Sequence, residues 1–298
     1  MKAVVCCLLV LLSAFSAFPC LNKSGTKYGG GSGSYFGWLG LEAALKKNLR
    51  NDGVEMEANL RGSTNFNDRS DYAIALIFLG RSAEAVESLK ILEKEQPGLF
   101  FVAANLGTAY ELSGNNAEAL RWINECLRRN PKDHQGTEWL HAKILEAKIA
   151  QEKDQSYFEK HSVLELQPGK IGDPISVGGN SVSPKELAAA IQYQLGERLQ
   201  FVKPPDSAVA SLLFDYAAIV AATRSMESAK HILKMATDYG YPAAKVVALS
   251  NEFDRLLAWA KFKTYAMYGV IGLMVVGLLV FLYKRKIFVL SSKDLKRA

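Results

Sequence analysis

Residues 72–97 read YAIALIFLGRSAEAVESLKILEKEQP, and residues 106–131 read LGTAYELSGNNAEALRWINECLRRNP. Laid over one another at a shift of 34 residues, Gly80 meets Gly114, Ala83-Glu84-Ala85 meets Ala117-Glu118-Ala119, and Pro97 meets Pro131. Small residues fall on small ones (Ala73 on Gly107, Ala85 on Ala119), and large on large (Leu76 on Tyr110, Leu89 on Ile123, Leu92 on Cys126). The apolar spacing is helical. Each unit therefore reads as two antiparallel helices, turned at its glycine and closed by its proline, which cannot continue a helix. The small residues lie where the helices cross and let the backbones approach, and the larger ones fill the space around them. One such unit cannot bury its apolar face alone, so neighbours must stack.

A 34-residue period with this pattern resembles the tetratricopeptide repeat (TPR). Working outward, Leu140 and Ile144 take the places of Leu106 and Tyr110, but Lys148 stands where Gly114 would, and no proline closes the unit. A helix over 137–153 is expected there as a cap. Farther on, Asp215-Tyr216-Ala217 echoes Asp71-Tyr72-Ala73 at a shift of 144, and Ala229, Leu233 and Ala236 echo Ala85, Leu89 and Leu92, a diverged third unit. Ser183-Pro184-Lys185-Glu186 starts a helix that reaches about Gln200, with a serine cap, a proline in the first turn and a glutamate three residues on. Trp38–Leu49 is expected to be helical and to end at the turn-forming Asn51-Asp52-Gly53. Val163–Leu166 and Ile175–Val177 alternate between turn signals, which predicts a small β-hairpin or an ordered loop.

The two ends speak to placement. MKAVVCCLLVLLSAFSAFPC has a basic start, a short apolar run and small residues, as a secretory signal peptide has; an uncleaved N-terminal anchor is the alternative. Pro19 before Cys20 departs from a lipoprotein signal. Residues 264–283, TYAMYGVIGLMVVGLLVFLY, carry no charge and would cover about 30 Å as a helix, the thickness of a bilayer core. Trp259, Tyr265, Tyr268 and Tyr283 lie near its edges, as interfacial aromatics do. Val246, Leu249, Phe253, Leu256, Leu257 and Ala260 recur at helical spacing, so a helix from Ala243 is expected to run on into this segment.

The expected fold is all-α: a TPR-like helical hairpin array with a short β or loop insertion and one C-terminal transmembrane helix. The expected segments are a signal peptide (1–17), a Gly/Ser-rich linker (18–37), an N-terminal helical segment (38–66) and the repeats with their following helix (67–155). The insertion (156–182), a second helical region (183–263), the membrane helix (264–283) and a basic tail (284–298) complete the chain.

The 298 residues are 49% hydrophobic and 22% charged, which excludes a wholly disordered chain. The net charge of +6 is concentrated at the ends. The tail holds six basic residues against Asp294, Lys2 supplies one more, and residues 3–283 are formally neutral. The basic balance thus reads as topology, with the tail cytoplasmic and the bulk periplasmic or otherwise extracytoplasmic, and no nucleic-acid partner is expected.

No nucleophile elbow, Walker A or zincin motif occurs in the sequence. Glu138 and His141 sit one turn apart like half of a di-iron site whose other half is missing, and Cys126 occupies a core position. Neither catalytic residues nor a metal or cofactor is expected. What the resemblance implies is a concave groove, lined by the first helix of each unit, that takes a protein or peptide partner. On it Phe78, Phe101, Asn105, Thr108, Glu111 and Trp139 are the expected contacts, with Asp71, Ile74 and Glu138 also on that face. Asn105 takes the place of an asparagine that many TPR proteins use to hold a peptide backbone. Gln135 and Trp139 stand where a carboxylate clamp needs basic residues. The alternative is that these side chains pack against a capping helix.

The expected function is a membrane-anchored scaffold that binds its partner on the non-cytoplasmic side and touches the bilayer through 264–283. A tail-anchored cytosolic adaptor, and an enzyme with a site in 156–182, are the alternatives.

Overall fold

The computed structural model describes residues 21, 37–166, 175–177 and 180–285. The signal-like start, Cys20, most of the Gly/Ser-rich stretch and the tail beyond Arg285 lie outside the described residues. The chain divides into two units, one through Val246 and one from Val247.

Among its described residues, the first unit is helical apart from one small hairpin and the loops between elements. Its helices are α1 (Gly37–Lys46), α2 (Leu49–Leu60), α3 (Phe66–Phe78), α4 (Ser82–Glu95), α5 (Phe100–Leu112) and α6 (Asn116–Arg129). A single turn, α7 (Asp133–Gly136), leads into α8 (Glu138–Lys153), and a second, α9 (Tyr157–Lys160), follows. The hairpin strands are β1 (Ile175–Val177) and β2 (Asn180–Val182). Then come α10 (Pro184–Arg198), α11 (Ser207–Thr223) and α12 (Met226–Asp238). Helices α2 to α6 and then α8 pack each on the next; α11 packs on α12 and α10, and α1 lies against α10 and α12, where Trp38 stacks on His231 at 4.0 Å.

The turns that join α3 to α4 and α5 to α6 are built alike. Gly80 (φ 77°) and Gly114 (φ 87°) are left-handed, a conformation glycine adopts without penalty. Around them Arg81 N donates to Leu76 O (2.8 Å) and Asn115 N to Tyr110 O (2.9 Å), the bond that closes a helix C-terminus on a left-handed residue. Ala73, Ala85, Ala119, Leu89, Leu92, Ile123 and Cys126 are all fully buried, as the repeat pattern requires of them. Arg129 ties the two hairpins together: its guanidinium reaches Glu93 at 2.7 Å and the Leu99 carbonyl at 2.8 Å.

Two local expectations need correction. Asn51-Asp52-Gly53 does not end a helix; it lies inside α2, whose N-cap is Asn48, with its side chain accepting from Arg50 N. Gly53 is in the helix because α3 crosses there, and a Cβ would meet Phe78 Cβ at 2.9 Å. Close packing, not turn chemistry, accounts for that glycine. The hairpin likewise forms between Ile175–Val177 and Asn180–Val182, with Ser176 opposite Ser181, and does not include Val163–Leu166. Val163 and Leu164 are buried instead against α11: their backbone amides donate to Ser211 Oγ (3.1 Å) and Asp215 Oδ2 (3.3 Å). The expected start of α10 is present in full, with Ser183 and Glu186 capping each other's backbone.

α13 (Ala243–Lys284) is one helix of 42 residues, roughly 63 Å long. Its most apolar 18-residue window has a mean hydropathy of 2.3, with none of that window buried. It is long and apolar enough to cross a bilayer. Trp259 and Phe262 stack at 5.4 Å ahead of the apolar stretch, with the Lys263 amine 5.2 Å from the Trp259 ring. Arg285 lies over Phe281 at the far end. These are cation–aromatic pairs of the kind found at membrane boundaries.

Candidate functional site

The face expected to line an open groove is largely closed. Asn105 and Glu138 are fully buried, and Phe78, Thr108, Glu111, Asp71 and Ile74 are buried as well. Phe101 and Trp139 are half-buried, and Phe101 sets its ring edge-on to Phe66 and Phe100. The cover is the end of α10 and the turn after it. Phe201 lies 6.0 Å from Phe78, and Arg198 brings its guanidinium onto Glu111. The expectation of an exposed, apolar and aromatic groove with few charges is thereby corrected: the face is buried and carries ions. The alternative of a capping helix describes this face better, although the cap is α10 and not the expected α8.

What fills the space is a chain of buried ions. Glu111 accepts from both terminal nitrogens of Arg198, from Lys148 Nζ at 2.8 Å, and bonds His141 Nε2 at 2.8 Å. The other nitrogen of His141 bonds Glu138 at 3.1 Å. Glu138 then lies 2.7 Å from His134, which also contacts Asp133 at 3.2 Å, and Asp133 accepts from the Cys126 thiol at 3.3 Å. Each charge is expensive to bury, and an opposite charge touching it offsets that cost. Burial would raise Glu111 and Glu138, but the adjacent cations hold both carboxyls below their usual range. Burial would lower the histidines, but Glu138 and its neighbours hold both above it, as imidazolium ions. Burial and the carboxylates around it push the Cys126 thiol far up, so it is a packed, unreactive group.

The backbone bends to complete this chain. His134 (φ 47°), Gln135 (φ 60°) and Gly136 (φ 75°) are successively left-handed, which places the His134 ring over Glu138. Thr137 Oγ1 accepts from Gln194 of α10 and donates to the His134 carbonyl. Only the glycine adopts this conformation freely. Gln135 is exposed, and Gln135→Gly is expected to stabilise the fold by up to about 1 kcal/mol, read as a raised denaturation midpoint. A lowered midpoint would show that the left-handed turn is not strained.

The buried acids and bases set a pH profile. Both histidines have raised folded pKa values, so their stabilisation is complete below the unfolded value near 6.5 and fades as pH rises through the folded values. Asp215 has the same sign: burial lifts it from 3.8 to about 7, so stability falls as pH climbs through that interval. Glu111 and Glu138, held low, lose their contribution only as pH falls below about 4.5. Unfolding free energy is therefore expected to be higher near pH 5.5 than near pH 8.5, and Asp215→Asn should flatten the part below about pH 7. Stability that rises steadily toward pH 8.5 would contradict this charge assignment.

Among the described residues, no group of three or more His, Cys, Asp or Glu could hold a metal ion. Glu138 and His141, the half-site of the sequence, bond each other. A cavity of about 20 Å³ beside Glu111, His141 and Arg198 has room for a single water. The arrangement acts as an electrostatic clasp that holds α5, α8 and α10 together.

Sequence reasoning missed Arg198 and His134. Arg198 lies 87 residues from Glu111, beyond any local spacing, and His134 depends on the left-handed turn. Lys148 did leave a trace, since it breaks the repeat at the glycine position, and its amine is what reaches Glu111. Compared with protein-family models, with curated proteins and with solved structures, the chain matches none.

Proposed function

We propose that this chain is a single-pass, membrane-anchored helical-repeat scaffold of the TPR kind, which binds a protein or peptide partner on the non-cytoplasmic side of the membrane. The observation that carries this reading is the recurrence, 34 residues apart, of the same left-handed glycine, the same turn bonding and the same buried small and large positions. The long apolar α13 and the basic residues that follow it support the anchor and its orientation. The chain's own α10 takes up most of the inner face. The partner therefore meets what remains accessible there, the half-buried rings of Phe101 and Trp139. In this reading the ion clasp fixes the curvature of the array and performs no chemistry.

Crosslinking in native membranes, followed by identification of the captured protein, tests this. The wild-type chain is expected to capture a partner that the Phe101→Ala/Trp139→Ala variant loses at equal expression. Undiminished capture by that variant would overturn the placement of the partner, and failure of the wild-type chain to capture any protein would overturn the scaffold reading.

A further inference from the structure

An open cleft of about 500 Å³ lies where the α1–α2 corner faces the turn after α10. Four cationic residues line it: Lys46, Lys47 and Arg50 from the corner, and Lys203 from beyond α10. Among the described residues that line it there is no aspartate or glutamate. The rest of its lining is mixed: Asn48, Ser82 and Gln200 are polar, and Leu49, Ile77, Phe78, Leu112 and Phe201 make an apolar part. The N-terminus of α2 opens into the same space, which adds the positive end of a helix dipole.

Lys203 is anchored by two backbone carbonyls, Leu45 O at 2.7 Å and Leu199 O at 2.9 Å, so its ammonium stays at the cleft wall. Burial lowers the pKa of Lys47, although Asp52 and Glu197 act to raise it, and burial lowers that of Lys203. Lys46 pairs with Glu42 at 3.5 Å on its exposed side. Lys47 and Lys203, partly withdrawn from water beside the exposed Lys46 and Arg50 and a partly apolar lining, are stabilised by an anion that brings its own apolar surface. The volume lies within the range of small-molecule sites, where an apolar lining supplies area and a few polar groups fix orientation.

We infer that this cleft is a binding site for a small amphiphilic anion, a single acidic headgroup on an acyl-like body. The headgroup sits among Lys46, Lys47, Arg50 and Lys203, and the tail lies on Phe78, Phe201 and Leu112. The site is independent of the proposed partner surface at Phe101 and Trp139, neither of which lines it. A free fatty carboxylate and an anionic phospholipid share this chemistry.

Photocrosslinking of the full chain in nanodiscs, with adducts mapped by peptide mass spectrometry, tests the site. Three diazirine probes are used: a dodecanoate, the matching dodecanol, and a phosphatidylglycerol with the same acyl group. Adducts on the cleft wall are expected from the dodecanoate or the phosphatidylglycerol, and not from the alcohol. Which of the two acidic probes labels the wall identifies the source. The Lys46→Gln/Lys47→Gln/Arg50→Gln variant should lose at least about tenfold of this labelling, and Arg50→Gln alone, at an exposed residue, about threefold. Equal labelling by the alcohol, adducts confined to 264–283, or labelling undiminished in a folded Arg50→Gln protein would overturn the inference.

Discussion

Glu111→Leu is expected to destabilise the protein by about 3–5 kcal/mol, the usual cost of leaving a buried charge without its partner. Glu111 is the hub on which Arg198, Lys148 and His141 converge, and both it and His141 are nearly inaccessible to water. Removing the carboxylate takes away the anion on which a guanidinium from α10 and an ammonium and an imidazolium from α8 converge, in a space about one water wide. His141 responds by giving up its proton, since Glu138 alone remains beside it, but Arg198 cannot do so. Denaturant unfolding of the full chain, followed by helicity, reads the loss as a lowered midpoint. Glu118→Gln, which breaks the exposed pair with Arg121, is the comparison and is expected to cost below about 1 kcal/mol. Similar costs for the two variants would mean that the clasp contributes no more than a surface ion pair.

Ile123→Ala should cost about 2–5 kcal/mol, because Ile123 is fully buried and its removal leaves a cavity between α5 and α6. The repeat adds a sharper expectation. A Cβ at Gly107 would fall 2.4 Å from Ile123 Cδ1 and 2.6 Å from its Cγ1, so Gly107→Ala in the wild-type background collides with that side chain. Once Ile123 is truncated, the same methyl group enters vacated space and also favours the helix by about 1 kcal/mol. Gly107→Ala is therefore expected to destabilise alone and to stabilise in the Ile123→Ala background, a coupling of about 1–3 kcal/mol in a double-mutant cycle. Additive effects would show that the isoleucine moves aside without cost. The first unit makes the complementary choice, with Ala73 and Leu89 in these places, both fully buried.

These two sites mark how far the residues alone could be read. The hairpins were legible because a glycine, an alanine pair and a proline recurring at 34 residues leave few other solutions, and the core positions Leu89, Ile123 and Cys126 followed from helical spacing. The continuous α13 was legible for the same reason, a periodic stretch without a breaker that leads into 20 uncharged residues. The inner face was not. Phe78, Asn105, Thr108 and Glu111 are all buried, and periodicity says which side a residue faces and not what lies across from it. The cover, Arg198 at the end of α10 and Phe201 in the turn after it, lies far off in sequence and outside the repeat, Arg198 being 87 residues from Glu111. Gly53 misled in the opposite sense, because Asn-Asp-Gly is turn chemistry in isolation and here serves a helix crossing. His134 and Gln135 carry no signal for a left-handed turn; the ion contacts of His134 with Asp133 and Glu138 accompany it.

Protease accessibility in sealed, right-side-out membranes tests the proposed anchored scaffold, whose helical body would lie outside the cytoplasm. With tags inserted before Gly37 and after Ala298, protease added outside is expected to digest the body and leave a fragment that begins near Lys263 and retains the C-terminal tag. Loss of the C-terminal tag with the body intact would place the helical unit in the cytoplasm and contradict the proposed topology.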